Sequence, residues 1–309
     1  MRIPLATLAV AAVTASGLVL PALAQPAPAS AAVGVQAAAV PKRTDGLKGK
    51  TVYFIHGFQI STGNPEANCK QWDKMKKAYT GLGAKVVTVA YYKKDKNCST
   101  RVSSWENGAS IKTMAKSLAK NIYDKYTSKG KSVDVVGHSM GGLIVRAAIT
   151  GVQRKEAGFP SKLYIEDVVT MGTPHLGVNK AKASLCRLLV CREMSEGSSF
   201  LKWLGKTKNP QSAQGTDWTL IGSNKDGVVA EKSATSQTGS KAGWMSAGHK
   251  IVYQDSAGVG HSEYYSLNKG TYSLKYWNFT NPKWVPQSAG VGLNPVLAAR
   301  RGNHFWRSW

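Results

Sequence analysis

One stretch limits the fold more than any other. Val133, Asp134, Val135 and Val136 make an apolar run broken by a single acid, and Leu143, Ile144 and Val145 resume it after Gly137-His138-Ser139-Met140-Gly141-Gly142. The first part suits a strand buried in a sheet and the last part a helix, so the chain turns hard between them. Ser139 sits at that corner, inside Gly-x-Ser-x-Gly, where a serine hydroxyl is pushed out above the sheet. Gly137 and Gly141 fit the corner because side chains would crowd it and glycine accepts unusual backbone angles. The motif alone is weak; its weight comes from the strand before it, the helix after it and partners later in the chain.

The chain has 309 residues, 42% of them hydrophobic, which suits one large globular domain or two small ones. Its first forty residues differ in kind. Arg2 precedes an apolar run over residues 3–20, then Ala22-Leu23-Ala24 and a Pro/Ala-rich run to about Val40. This reads as a secretory leader, with Ala29-Ser30-Ala31 as a second possible cut. Thr14, Ser16 and Gly17 interrupt the run, so a retained anchor is the weaker reading, and no other stretch approaches the ~20 apolar residues of a membrane helix. The expectation is a soluble, extracellular protein with one domain over residues 41–309, the last part of which (264–309) is an aromatic, basic extension. Oligomeric state is not legible.

Four cysteines, an even number in an exported chain, suggest two disulfides. Three pairings exist in principle; Cys69–Cys98 and Cys186–Cys191 are favoured because each pair falls within one loop region. No C-x-x-C occurs, so zinc is not expected. The net charge of +24 is read first as that of a soluble, alkaline secreted protein, with attraction to anionic interfaces or polymers as the weaker reading. The lysines are scattered and no recognition motif accompanies them, so nucleic acid is not an expected partner.

In order, strands are expected at residues 51–55, 86–91, 133–138, 163–171, 218–222 and 250–253. Helices are expected at about 70–79, 108–129 and 140–152. Residues 93–107 read as a polar loop and 178–216 as an irregular insertion over the sheet. Strands alternating with helices imply a mostly parallel sheet covered on both faces.

In such a sheet the loops at the carboxyl ends of the strands gather along one edge. A serine hydroxyl is a poor nucleophile unless a base reaches it and a third group orients the base. Among acids and histidines that follow strands, Asp226 and His261 stand out, in the order Ser139, Asp226, His261. Of the six histidines, His138 neighbours the serine and should point elsewhere, His249 precedes its strand, and His304 is in the tail. His56 and His175 are better explained as loop architecture. Asp255 and Glu231 are competing acids of lower rank. Developing negative charge needs preset N–H donors. Met140, after the serine, supplies one and Phe58, after the first strand, the other, and their side chains should line an acyl pocket.

His56-Gly57-Phe58, Gly137-His138-Ser139-Met140-Gly141-Gly142, Met171-Gly172-Thr173-Pro174-His175-Leu176-Gly177, Asp226-Gly227-Val228 and Gly260-His261 together resemble secreted bacterial lipases of the α/β-hydrolase fold. Residues 194–201 are similar to the stretch that follows Gly-Thr-Pro-His in that family. The resemblance runs from about Thr51 to His261. It implies a carboxylic ester hydrolase with Ser139, Asp226 and His261 as triad, the Phe58 and Met140 amides as oxyanion hole, an ester or lipid substrate met at an interface, and no cofactor. Some lipases of this fold bind structural calcium; no acidic cluster in the sequence demands it. Two alternatives stay open: a depolymerase of solid polyesters, and a non-catalytic binding protein on the same scaffold.

Overall fold

The structure is a computed structural model and describes residues 39–305 except 62, 63, 107, 238 and 279. The expected leader and the terminal Trp306 and Trp309 lie outside the described residues.

Eleven strands and eight α-helices are described. The strands are β1 (Thr51–Ile55), β2 (Ile60–Ser61), β3 (Asn64–Pro65), β4 (Lys85–Tyr92), β5 (Thr100–Trp105), β6 (Val133–His138), β7 (Ile165–Met171), β8 (Asp217–Ser223), β9 (His249–Tyr253), β10 (Leu274–Asn278) and β11 (Lys283–Gln287). The helices are α1 (Asp73–Thr80), α2 (Ile111–Lys125), α3 (Met140–Gln153), α4 (Lys180–Ser184), α5 (Leu189–Met194), α6 (Ser199–Gly205), α7 (Glu231–Ala234) and α8 (Pro295–Gly302).

Nine strands make one sheet in the order β11-β10-β9-β8-β7-β6-β1-β4-β5, while β2 and β3 pair separately. From β5 to β9 every pairing is parallel; β10 and β11 join antiparallel at one edge. Helices α2 and α3 pack together and so do α1 and α8. Two apolar cores result, one holding Met114, Leu118, Leu143 and Ile149, the other Phe54, Trp72, Tyr79 and Val296. This is the α/β-hydrolase architecture, with its insertion between β7 and β8.

The reasons are local. Strands β1, β6 and β7 are buried along their whole length, as strands covered on both faces must be. Helix α2 starts at Ser110, whose Oγ accepts the Thr113 N–H at 3.0 Å, and buries Ile111, Met114, Ala115, Leu118 and Ile122 at helical spacing. The chain moves outward from β1 to β4 and β5, then returns to place β6 on the other side of β1. That reversal opens a crevice at the carboxyl ends of β1 and β6.

Three segments differ from expectation. The polar loop over 93–107 contains β5, an edge strand held by pairing with β4 and by the Cys69–Cys98 bond beside it. The insertion contains α4, α5 and α6, with Cys186 bonded to Cys191. The extension supplies β10, β11 and α8. No described helix is long and apolar enough to cross a membrane.

Three carboxyls meet two cations at the amino-terminal edge of the sheet. Lys50 Nζ lies 2.9 Å from Glu166 Oε2 and 3.7 Å from both Asp134 Oδ2 and Asp167 Oδ2, and Arg43 Nη2 lies 3.1 Å from Asp167 Oδ1. Burial, then the adjacent Asp167 carboxyl, pushes Asp134 well above the ordinary carboxylate range, and burial pushes Asp167 up to about 7. The folded chain thus keeps protons that an unfolded one releases above about pH 4. Stability therefore falls as pH rises from there through about 7. Asp134→Asn evens the charges and keeps an oxygen for the Asp167 N–H, now 3.3 Å from Asp134 Oδ1. The expected result is a Tm about 2–4 °C higher at pH 8, the equivalent of about 1 kcal/mol, fading towards pH 4. Calorimetry at both pH values checks it; a lower Tm at pH 8 would count against it.

Candidate active site

Ser139 ends the β6 run at φ 53°, ψ −128°, a conformation that non-glycine residues avoid and that costs about 1–3 kcal/mol. The surrounding glycines make it possible. A Cβ on Gly141 would collide with the Ile55 and His56 carbonyl oxygens, and one on Gly142 with Thr173. Helix α3 can therefore start hard against the ends of β1 and β7. The Ser139 N–H donates to Met171 O at 2.9 Å, and Thr173 Oγ1 donates to Ser139 O at 2.9 Å. The serine is pinned from both sides while its hydroxyl faces the crevice.

His261 follows β9, and its Nε2 lies 3.0 Å from Ser139 Oγ. Its Nδ1 lies 2.8 Å from Asp226 Oδ2 and 3.0 Å from Oδ1. A carboxylate only accepts, so Nδ1 carries the proton and Nε2 is free to receive the serine's. Asp226 follows β8 with its side chain fully buried. Its Oδ1 accepts the Val228 and Val229 N–H groups at 2.9 Å each, and its Oδ2 accepts the Tyr264 hydroxyl at 3.2 Å. Burial alone would raise its pKa. Hydrogen bonding from His261, the charge beside it and the Val229 and Val228 amides outweigh burial and hold it below the usual range. Gly172, at φ 55°, closes the other side: a Cβ there would strike Tyr264, Asp226 Oδ2 and His261 Nδ1.

The remaining histidines divide by position. His138 does not point elsewhere: its Nε2 lies 2.7 Å from His261 O and its ring packs 4.8 Å from the His261 ring. The carbonyl can only accept, so Nε2 is the donor. Burial, then the neighbouring His261, lowers the His138 pKa to about 3, so it adds no charge beside the base. His175 is buried, meets Thr170 Oγ1 at 2.9 Å and is kept neutral by burial and by Arg146. Arg146, fully buried, donates to Gly243 O at 2.6 Å and ties α3 to the segment before β9. His249 opens β9 at the opposite edge, 3.4 Å from Asp217. His56 is fully buried beneath the loop after β1.

Met140 is the first residue of α3, where a backbone N–H has no partner in its own helix. Its side chain, expected to line an acyl pocket, is instead fully buried in the core. Burial of the whole first turn of α3 is the reason. Phe58, Val178 and Leu188 are half-buried and pack on the same core. Gly57 brings the loop after β1 against the serine: a Cβ there would lie 2.6 Å from Ser139 Cβ and 3.2 Å from its Oγ. The one grouping of three acids among the described residues that could hold a metal is Asp134, Glu166 and Asp167, at the far edge and already facing Lys50.

Sequence reasoning missed two neighbours of this cluster. Tyr264 sits three residues after His261, a spacing that returns a side chain to the same side of a turn and could have been read. The His138 contact joins positions 123 apart and has no local signal.

A serine on a strained strand-to-helix corner, with a histidine and a buried acid in series, sits on an α/β-hydrolase sheet. The chain belongs to the family described as "Putative serine esterase (DUF676)", whose model matches residues 48–218, more than half of the chain. No protein of curated function matches its sequence significantly. Solved structures similar to it include phospholipase PlaB of Legionella pneumophila (14% identity, TM-score 0.43, 60% of this chain and 44% of that one). Others are the Bacillus licheniformis lipase BlEst2 in propeptide form (19%, 0.44, 62% and 44%) and the lin2722 gene product of Listeria innocua (16%, 0.44, 70% and 88%). The chain spans less than half the length of the first two. At these identities the likeness concerns the fold alone.

Proposed function

We propose that this serine esterase family member is a secreted lipase or carboxylesterase that works through an acyl-enzyme on Ser139. The observation that supports it most is the unbroken series from Ser139 Oγ to His261 to buried Asp226. His261 takes the serine proton as Oγ attacks an ester carbonyl, and the Phe58 and Met140 amides receive the oxyanion. The imidazolium, steadied by Asp226, protonates the leaving alcohol. Water activated by His261 then releases the acid. Two disulfides fit an oxidising compartment and support the export reading.

The insertion reads as a fixed wall more than a moving lid. Val178 bridges Ser195, Lys182 Nζ donates to Gly227 O at 2.6 Å, and Glu193 Oε2 accepts the Ile111 N–H at 2.7 Å. The Val178–Ser195 bridge and the Cys186–Cys191 bond stiffen the insertion internally, and opening would break the ties of Lys182 and Glu193 to the rest of the chain. Activity on a short triglyceride should therefore rise smoothly through the concentration at which droplets form. A sharp jump there would mark a lid instead. A panel from p-nitrophenyl butyrate through long triglycerides to polyester film tests the substrate class; weight loss of film without glyceride turnover would replace the lipase reading with the depolymerase.

A further inference from the structure

His56 opens the loop after β1, is fully buried, and has no part in the proposed proton transfers. Its Nδ1 lies 2.8 Å from Gly57 O, and its Nε2 lies 2.9 Å from Asp95 Oδ2. A carbonyl and a carboxylate both accept and neither donates, so both bonds require a ring that carries both protons. Asp95 is tied in turn: its Oδ1 accepts the Ala67 N–H at 2.7 Å and its Oδ2 the Tyr91 and Tyr92 N–H groups at 2.8 Å each. Burial disfavours its charge, but the hydrogen bond and charge of His56 and the two tyrosine amides bring the carboxyl below the usual range. The imidazole lies flat on the Tyr91 ring, with centroids 4.0 Å apart and planes 17° apart. Tyr91 Oη donates to His56 O at 2.6 Å and reaches Gly57 O at 3.1 Å.

The His56 Nδ1–H donates to the Gly57 carbonyl, and the Tyr91 hydroxyl, donating to the His56 carbonyl just before it, fixes the neighbouring peptide. A peptide unit is planar and trans, so its C=O and its N–H point in opposite directions. Holding Gly57 O inward turns the N–H of Phe58 outward, on the loop that Gly57 brings against Ser139. No hydrogen bond takes up the Phe58 N–H among the described residues. We infer that His56, Asp95 and Tyr91 are positioning residues: a buried imidazolium–carboxylate pair and a phenol that lock the Gly57–Phe58 peptide with its N–H facing the reacting oxygen. Without the second imidazole proton one of the two ring bonds is lost, and the peptide is free to rotate its carbonyl into the site. The inference rests on the proposed role of the Phe58 amide.

The test reads geometry, transition-state binding and turnover separately. Nitrogen-15 NMR of the intact protein at pH 7 should show both His56 ring nitrogens protonated; one unprotonated nitrogen overturns the inference. His56→Gln should lower kcat on p-nitrophenyl butyrate by about 10²-fold, the loss seen when one oxyanion donor goes, and leave KM within about threefold. Tyr91→Phe keeps the ring stack and so keeps the fold if His56→Gln does not; it should cost about tenfold in kcat. In both variants the Ki of phenylboronic acid, which forms a charged tetrahedral adduct on the serine, should rise by the same factor as kcat falls. A folded variant with wild-type kcat and boronate affinity overturns the inference. Retained turnover in Ser139→Ala would instead defeat the hydrolase reading, and the NMR result on His56 would still stand by itself.

Discussion

Ser139→Ala is expected to lower ester turnover by roughly 10⁴-fold or more, the scale of nucleophile deletions in enzymes whose serine and histidine act as a unit. The two nearest alternatives among the described residues are both committed elsewhere. His138 is neutral, buried and committed to His261 O. Thr173 Oγ1 is buried and donates to Ser139 O. Alanine keeps the Cβ and removes only the Oγ, whose one side-chain partner among the described residues is His261, so the variant should keep the fold. Rates on p-nitrophenyl butyrate, normalised to folded protein, give the result; most of the activity surviving would refute the mechanism. The same pair of proteins separates an enzyme from a binding protein on the scaffold. A fluorophosphonate probe should label the parent at Ser139 and leave the variant untouched, since only an activated serine reacts.

What the sequence carried was the interior. Strands β6, β7 and β8 are buried on both faces and read as apolar runs, so their carboxyl ends, and the residues that follow them, could be placed without coordinates. Ser139 follows β6 and Asp226 follows β8, and the apolar end of β9 places His261 at the same edge, so their order could be read from the sequence. The edges were not legible. Strand β5, Thr-Arg-Val-Ser-Ser-Trp, has no apolar alternation and is half-exposed. Contacts outside its own pattern hold it: Ser99 Oγ accepts the Thr88 N–H at 2.7 Å, and Cys98 is bonded to Cys69. Strands β10 and β11 were hidden for a related reason, because Lys275, Trp277 and Trp284 read as a basic aromatic tail until Trp277 is set opposite Trp284.

The supporting residues of the site were hidden at a deeper level. His56 and Asp95 are separated by 39 positions, and each looks like an ordinary loop residue. Their meaning comes from what surrounds them once buried: three backbone amides and one imidazole around a single carboxylate. The cluster of Asp134, Glu166 and Asp167 likewise forms only because β6 and β7 start side by side. Motifs report which residues can react; the groups that hold them in place are chosen by tertiary contact.

Asp226→Asn should cost about 10⁴-fold in kcat/KM with the fold intact, through a change of tautomer. Asp226 faces the Nδ1–H of His261 with two acceptor oxygens, which leaves Nε2 bare towards Ser139 Oγ. Asparagine has one acceptor and one donor. Its oxygen is claimed by the Val228 and Val229 amides, which now donate to Oδ1, so its NH₂ takes the place of Oδ2 beside the imidazole. Nδ1 then becomes the acceptor, the ring proton moves to Nε2, and the base cannot receive the serine proton. The NH₂ also meets the Tyr264 hydroxyl, which can turn to accept. Tyr264→Phe provides the contrast: it removes one neutral partner of a carboxylate that keeps three others, and its effect should stay below about tenfold. Kinetics on a soluble ester, with Tm measured alongside, decide the case. An Asp226→Asn protein within about tenfold of the parent would mean that another acid orients His261, and Asp255, in the short helical turn after β9, would be the first to substitute.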